Sequence, residues 1–177
     1  MSTTETTEKL GVRGPHAGLL DWLAAHDVEY ELHEHPVTIT ALETARAEHI
    51  DPRRFAKTLV VEGAAGKRAL VVLDAADQLD LGRAAYVLEA GRVRLLSEPE
   101  LIALAPDFEV GTVPPVGDLL GLRVYADLAI REDPTITFHA GSHRFTVMVD
   151  RVAWERAAHV VYGNLAAVVD RGPAWAR

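Results

Sequence analysis

The stretch Phe55-Ala-Lys-Thr-Leu-Val-Val61 is the most informative for the fold of this chain. Its apolar and β-branched residues are typical of a strand, and a lysine inside such a run is unusual because burying an ammonium group costs free energy. Only three of the 18 basic residues are lysines. Lys57 is therefore a candidate functional residue, with an edge-strand lysine that reaches water as the alternative explanation.

The residues after this stretch predict a hairpin. Strands are expected at 58–62 and 69–74, and the connecting Gly63-Ala-Ala-Gly66 is a glycine-containing turn sequence. We therefore expect Lys57 to lie at the start of the first strand of an antiparallel pair.

The rest of the chain alternates between helix and strand signals without a strict order. Helices are predicted at about 17–24, at 80–89 and around Trp154. Two more are predicted from capping boxes: one begins at Thr40 with Glu43 and extends to about 49, and the other begins at Ser97 with Glu100 and extends to 104. Further strands are expected near 28–32, 122–126, 135–138 and 145–149. This order favours an α+β domain with a mixed or antiparallel sheet over a doubly wound parallel sheet.

Composition restricts the classes of protein to which the chain can belong. With 177 residues, of which 49% are hydrophobic and 25% charged, it suits one globular domain. The absence of cysteine excludes disulfides, zinc-thiolate sites and a cysteine nucleophile. The apolar run 69–73 is too short to cross a bilayer, and residues 1–9 do not resemble a signal peptide. We therefore expect a cytoplasmic protein with no membrane partner.

The formal net charge of -8 bears on nucleic-acid binding. Binding along a nucleic-acid backbone is driven by neutralising phosphates, so an acidic protein is poorly suited to it. We expect no DNA partner, and any contact with RNA should be local.

A second conspicuous segment is Gly111-Thr-Val-Pro-Pro-Val-Gly117. The prolines fix φ and remove amide donors, whereas the flanking glycines allow positive φ or close approach. This segment is typical of a shaped rim whose backbone amides face a substrate carbonyl. A rigid turn between strands is the alternative.

Several short motifs together resemble the YbaK family of aminoacyl-tRNA editing domains. The motifs, in chain order, are Phe55-Ala-Lys-Thr-Leu59, Gly111 with Pro115, Gly117, and Ala140-Gly-Ser142. The segment Tyr30-Glu-Leu-His-Glu-His-Pro36 and the helix after Thr40 are also similar to the start of that family. The resemblance extends over roughly residues 19–154.

The resemblance implies a fold and an activity. The implied fold is a mixed, barrel-like sheet flanked by helices, with 17–160 as the editing domain and 161–177 as a C-terminal extension. Residues 1–16 are expected to form a mobile tail because their start is rich in threonine and glutamate and lacks apolar periodicity. The implied activity is a trans-acting deacylase that hydrolyses the ester between a wrongly attached amino acid and tRNA. The implied partners are the acceptor end of mischarged tRNA and, as a second partner, an aminoacyl-tRNA synthetase. No cofactor is implied.

The resemblance also implies a set of site residues. Lys57 matches the family's functional lysine, which holds or polarises the substrate near the ester, and Gly111 matches the glycine whose amide positions the scissile end. Together these two are the expected catalytic residues. The expected substrate-binding residues are Thr58, Pro115, Gly117, Gly141 and Ser142. Pro115 would hold the loop, and Ser142 would either donate to the substrate or cap its turn.

Neither a cysteine nor a Gly-x-Ser-x-Gly elbow is present, so the nucleophile should be a positioned water or a group of the substrate. Thr58 stands where alanyl-tRNA members often have asparagine, which favours a cysteinyl-tRNA(Pro)-type substrate. However, cysteinyl-tRNA members tend to have a tyrosine where this chain has His33-Glu-His35.

Two other functions stay open on the sequence alone. His33 and His35 share one strand face, and His139 and His143 flank a turn, so the four would suit a metal hydrolase if their strands were adjacent. However, the His-Glu-x-x-His motif is absent, and hydrogen-bonded histidines are favoured. The other alternative is a non-catalytic module that binds aminoacyl-tRNA or a synthetase.

Overall fold

The computed structural model describes residues 14–168 and confirms the α+β class. The helices are α1 (Ala17–Ala25), α2 (Ala41–Ala47), α3 (Leu81–Val87), α4 (Glu98–Leu104) and α5 (Arg151–Ala157). The strands are β1 (Tyr30–Glu34), β2 (Ala56–Gly63), β3 (Arg68–Asp74), β4 (Val93–Leu95), β5 (Arg123–Asp127), β6 (Thr135–Ser142), β7 (Phe145–Asp150) and β8 (Val161–Gly163). Short 3-10 helices at Gly117–Leu119 and Leu128–Glu132 flank β5.

The strands form two sheets, one antiparallel and one mixed. One has the order β1-β7-β6 and is antiparallel throughout. The other has the order β4-β2-β3-β5-β8, in which β5 pairs in parallel with both β3 and β8. An isolated parallel bridge joins Phe55 to Thr137 between the sheets. The described strands do not close into a barrel, so the barrel-like expectation is not confirmed.

The β2-β3 hairpin is confirmed, and its register decides which way each side chain points. Lys57 pairs with Leu73 and Thr58 pairs with Val72. Because side chains alternate across a strand, these two pairs lie on opposite faces of the sheet. Val72 belongs to the larger core cluster and Leu73 to the smaller one, so Thr58 and Lys57 face different cores.

The larger core fills the space between the two sheets, α1 and α5. Its most deeply buried members include Leu23, Leu70, Phe138 and Trp154. Full burial of one such side chain stabilises the fold by roughly 1.5–3 kcal/mol. This core provides the fixed scaffold from which the loops of the candidate site project.

Both predicted capping boxes are present, but two helices end earlier than expected. Thr40 caps α2 and Ser97 caps α4, each with the glutamate three residues later. Residue His49 (φ 56°) after α2 and Glu89 (φ 51°) after α3 adopt left-handed backbone conformations. A left-handed residue ends an α-helix, so these helices stop at Ala47 and Val87 rather than at 49 and 89.

Residues 1–13 of the predicted tail (1–16) and 169–177 of the predicted C-terminal extension (161–177) lie outside the described residues. Within the described part, His16 caps α1, its amide donates to the carbonyl of Ala140 at 2.8 Å, and its ring stacks on Phe108. Val161–Gly163 forms β8. No helix within 14–168 has the length and apolar character needed to cross a membrane.

Candidate functional site

A cleft of about 170 Å³ lies beside β2 and brings together two of the predicted site residues. Thr58 enters it from β2, and Gly111 enters from the loop that follows α4. Val60, Leu101 and Phe108 contribute apolar walls. A concave, mainly apolar cleft with a few polar groups is the usual form of a small-ligand site, so this is the candidate functional site.

Gly111 has an open side toward the cleft. Its φ is 84°, in the left-handed region that glycine adopts without the steric cost of a Cβ. A Cβ built there would meet nothing closer than Cε1 of His143, at 4.0 Å. Backbone conformation rather than crowding therefore requires glycine at this position, and the space beside its backbone is free for a ligand.

The start of the Gly111 loop is hydrogen-bonded to the end of β6 and to the turn after it. The amide of Glu109 donates to the carbonyl of Gly141, and the amide of Gly141 donates to the carbonyl of Thr112, both at 3.2 Å. The Glu109 carboxylate also accepts the backbone N–H of His143 at 2.7 Å. These bonds fix the two segments relative to each other along one side of the cleft.

Gly141 is required by close packing as well as by conformation. Its φ is 84°, and a Cβ there would lie 2.8 Å from Cβ of His16 and 3.0 Å from the ring of Phe108. The next residue, Ser142, is buried, and its Oγ accepts the backbone N–H of Arg144 at 3.2 Å. In this structure Ser142 therefore has a turn-capping contact.

Pro115 and Gly117 are part of the loop, but they contact the protein core and do not line the cleft. The carbonyl of Pro115 accepts the indole N–H of buried Trp154 at 2.9 Å. A Cβ on Gly117 would lie only 1.8 Å from the carbonyl oxygen of Leu122. The far half of the predicted loop is thus fixed to the main core.

Lys57 lies apart from the cleft in the described structure. Its side chain is half-buried, and its ammonium donates to the backbone carbonyls of Ala75, at 3.4 Å, and Asp77. Burial lowers the pKa of Lys57, and the negative charges of Asp77 and Asp74 partly oppose that shift. The structure thus places Thr58 and Gly111 in one cleft, whereas Lys57 does not line it.

Asp74 is a buried carboxyl beside Lys57. It is 5% exposed, and its Oδ1 has no hydrogen-bond partner among the described residues. Burial raises its pKa to about 7, and the nearby charges of Asp77 and Asp133 add to the effect. Lys57 therefore lies in an acidic environment that sequence patterns did not reveal.

Three of the four histidines considered as metal ligands do cluster. The ring of His139 lies 6.2 Å from that of His35 and 5.9 Å from that of His143. Its Nε2 is 3.2 Å from the hydroxyl of Thr44, and burial first, then the other two imidazoles, lower its pKa to about 3. His139 is therefore a neutral, hydrogen-bonded core residue near pH 7.

His33 lies outside this cluster and contacts Glu31 at 3.3 Å and Glu48 at 3.4 Å, and Glu48 also lies 3.5 Å from Nε2 of His35. Within residues 14–168, no three histidine or acidic side chains converge in an arrangement that would hold a metal ion. The described geometry accordingly gives no support to the metal-hydrolase alternative.

Sequence reasoning missed Glu109, the one charged side chain among the described residues that line the cleft. The available signal was its position two residues before the predicted loop segment Gly111–Gly117. Its partner His143 is 34 residues away, and no local pattern predicts such a pairing.

Solved structures with a similar fold cover most of this chain. One is a scaffold from computational epitope-backbone grafting, 24% identical, with a TM-score of 0.73 and coverage of 86% of this chain and 94% of that one. A protein described as hypothetical is 21% identical, with a TM-score of 0.77 and coverage of 84% and 99%. A candidate trans-editing enzyme for prolyl-tRNA synthetase is 24% identical, with a TM-score of 0.73 and coverage of 85% and 95%. These likenesses establish the fold.

No curated protein sequence gives a significant match to the chain. The sequence profile of the aminoacyl-tRNA editing domain, in contrast, matches residues 35–157. That range is more than half of the chain and contains β2, the cleft and both loop segments that frame it. The chain therefore belongs to the aminoacyl-tRNA editing domain family.

Proposed function

We propose that this protein is a trans-acting aminoacyl-tRNA deacylase that hydrolyses the ester of mischarged tRNA. The observation that carries the proposal is the cleft in which Thr58 and Gly111 meet, inside the region that matches the editing family. Its volume of about 170 Å³ suits a small aminoacyl group. For scale, an engineered protein cavity of about 150 Å³ binds benzene.

In the proposed complex the aminoacyl group occupies the cleft and the ester carbonyl lies against Gly111. The Gly111 amide donates to the carbonyl oxygen, where negative charge develops as water attacks the ester carbon. The attacking water gives up a proton, and the ribose oxygen leaves as a hydroxyl. Thr58 supports this placement because its hydroxyl is buried and has no hydrogen-bond partner among the described residues.

Lys57 is the second proposed catalytic residue. In the proposed complex its ammonium exchanges the carbonyls of Ala75 and Asp77 for a phosphate or ester oxygen of the substrate. The flexible four-carbon stem of lysine and its compact charge suit such an exchange. Pro115 and Gly117 hold the loop, and Gly141 and Ser142 border the site.

A cysteinyl-tRNA(Pro)-type substrate is slightly favoured over an alanyl one. The sequence supports this through Thr58, which replaces the asparagine often found in alanyl-tRNA members. The apolar cleft walls are also compatible with a thiol side chain.

The proposed partners are the acceptor end of tRNA and an aminoacyl-tRNA synthetase, with residues 17–160 as the editing domain and the cytoplasm as the location. A net charge of -8 makes binding by this protein alone weak, because few tRNA phosphates would be neutralised. A synthetase that presents the tRNA would supply the missing affinity.

The second candidate function is a module that binds the aminoacylated end without turnover. The observation that favours it is the position of the Lys57 ammonium, which contacts carbonyls away from the cleft. Deacylation of a panel of mischarged tRNAs, beginning with cysteinyl- and alanyl-tRNA for proline and with a metal chelator present, separates the two. The deacylase predicts selective, chelator-insensitive hydrolysis, whereas the module predicts binding without hydrolysis.

A further inference from the structure

We propose that Glu109 binds the α-ammonium group of the aminoacyl ester and so restricts the cleft to substrates with a free α-amino group. This inference rests on the proposed function for the identity of the ligand. It assigns to the site a charge-recognition step that is distinct from recognition of the amino-acid side chain.

The first argument is the placement of charge in the cleft. Glu109 is the one charged residue among the described residues of the lining, and most of the others are apolar. In sites of this kind a few polar groups fix the orientation of the ligand and provide specificity. Near neutral pH an aminoacyl ester carries a positively charged ammonium group bonded to its α-carbon. The carboxylate of Glu109 has the opposite charge.

The second argument is that Glu109 is held in place. Its carboxylate accepts the His143 amide at 2.7 Å, and its own carbonyl accepts both the amide of Thr112, at 3.0 Å, and the hydroxyl of Thr112, at 2.6 Å. A carboxylate offers about four acceptor positions, so the His143 bond leaves capacity for a ligand. A fixed acceptor loses little conformational entropy when the ligand binds.

The third argument is the short separation along the chain between Glu109 and Gly111. In an aminoacyl ester the ammonium and the carbonyl are on adjacent carbons, so recognition of both requires an acceptor and a donor close together. Glu109 and Gly111 are two residues apart and line the same cleft. This arrangement binds both polar ends of the α-amino ester and leaves the apolar walls for its side chain.

The consequence is discrimination by α-substituent. A site built around a hydrogen-bonded polar group of its substrate rejects analogues that lack this group, because its own polar atom is then left unpaired. Esters of α-hydroxy acids and N-acylated aminoacyl esters, including peptidyl esters, should therefore bind poorly.

The test uses stable analogues of the substrate end, so that it does not depend on turnover. Adenosine is linked through a 3′-amide either to alanine, which keeps the ammonium, or to lactic acid, which places a hydroxyl at the same position. Binding of each is measured by calorimetry with the unmodified protein, with Glu109→Gln and with Asp107→Asn. The glutamine retains an acceptor for the His143 amide, and Asp107 is an exposed carboxylate in the same loop that does not line the cleft.

We expect the unmodified protein and Asp107→Asn to prefer the alanyl analogue by about tenfold, the usual strength of a hydrogen bond to a charged group. Glu109→Gln should lose that preference and bind the lactyl analogue as before. The inference is overturned if the unmodified protein shows no preference or binds neither analogue. It is also overturned if Glu109→Gln keeps the preference or weakens both analogues equally.

Hydrolysis of mischarged tRNA is measured separately with the same variants. A preference that depends on Glu109 but comes without any hydrolysis would refute the deacylase and leave this inference standing. Hydrolysis without a preference for the ammonium would refute this inference and leave the deacylase standing.

Discussion

The backbone N–H of His143 donates to the carboxylate of Glu109 at 2.7 Å, although the two residues are 34 positions apart in the sequence. This bond joins the Gly111 loop to the turn after β6. Glu109→Ala removes the acceptor, whereas Glu109→Gln retains one. We therefore expect Glu109→Ala to lower the free energy of unfolding by about 1–2 kcal/mol more than Glu109→Gln does.

Urea unfolding of the two Glu109 variants measures this difference. Equal stabilities for the alanine and glutamine variants would show that the carboxylate does not hold the loop. The comparison is independent of any ligand.

The glycines of the loop should differ sharply in their response to alanine. Gly117→Ala places a Cβ 1.8 Å from the carbonyl oxygen of Leu122, so backbone must shift, and a loss of about 4 kcal/mol or more is expected. In Gly111→Ala the new Cβ has space, and only the left-handed φ is unfavourable. This should lower the free energy of unfolding by about 1–2 kcal/mol.

Gly66→Ala is the matched control for Gly111→Ala. Gly66 has a φ of 78° and no atom within 4 Å of a built Cβ, in the turn between β2 and β3. Thermal unfolding should give similar losses for these two variants, with deacylation impaired only in Gly111→Ala. A Gly117→Ala protein as stable as Gly111→Ala would contradict the loop packing described above.

His139 should make the fold sensitive to acid. Its pKa is lowered from 6.5 to about 3, so between these values the unfolded state binds more protons than the folded state. Stability must then rise with pH across that window. His139→Gln should remove up to about 4 kcal/mol of this rise, since one pKa unit corresponds to about 1.4 kcal/mol.

The measurement is the free energy of unfolding of the unmodified protein and of His139→Gln from pH 3.5 to 7. Parallel curves for His139→Gln and the unmodified protein would show that His139 does not resist protonation.

Asp74 should have the opposite effect on stability. Its pKa is raised from 3.8 to about 7, so between those values the folded state binds more protons, and stability falls as pH rises. Asp74→Asn removes this loss and should be more stable than the unmodified protein at pH 8, by up to about 4 kcal/mol, with the advantage shrinking toward pH 4. Urea unfolding at both pH values checks this, and an advantage that did not depend on pH would contradict a buried, ionising Asp74.

Local chemistry made part of the fold predictable. The capping boxes at Thr40 and Ser97 and the hairpin around Gly66 depend on residues a few positions apart, and all are present. Strands β4 and β8, with three residues each, were not predicted because pairing with β2 and β5 defines them rather than their own composition. The early ends of α2 and α3 depend on single residues with left-handed backbones, which propensity does not reveal.

The candidate site was predictable to a smaller extent. The motifs predicted Lys57 and Gly111 as the catalytic pair and Thr58 as a substrate-binding residue, whereas the structure places Thr58 and Gly111 in one cleft that Lys57 does not line. Because side chains alternate along β2, Lys57 and Thr58 face opposite sides of the sheet. The Glu109 and His143 contact and the burial of Asp74 depend on tertiary packing, which no local pattern encodes.

The most direct test of the deacylase proposal is the rate of hydrolysis of cysteinyl-tRNA(Pro) and alanyl-tRNA(Pro) by the unmodified protein, Lys57→Ala and Lys67→Ala. Lys67 lies in the turn between β2 and β3 and serves as a matched control for the loss of one lysine. Removing a group that stabilises transition-state charge commonly costs about 100-fold or more in rate. We predict such a loss for Lys57→Ala, with the Lys67→Ala rate unchanged. Hydrolysis that is absent in the unmodified protein, or equally fast in all three, would contradict the proposal.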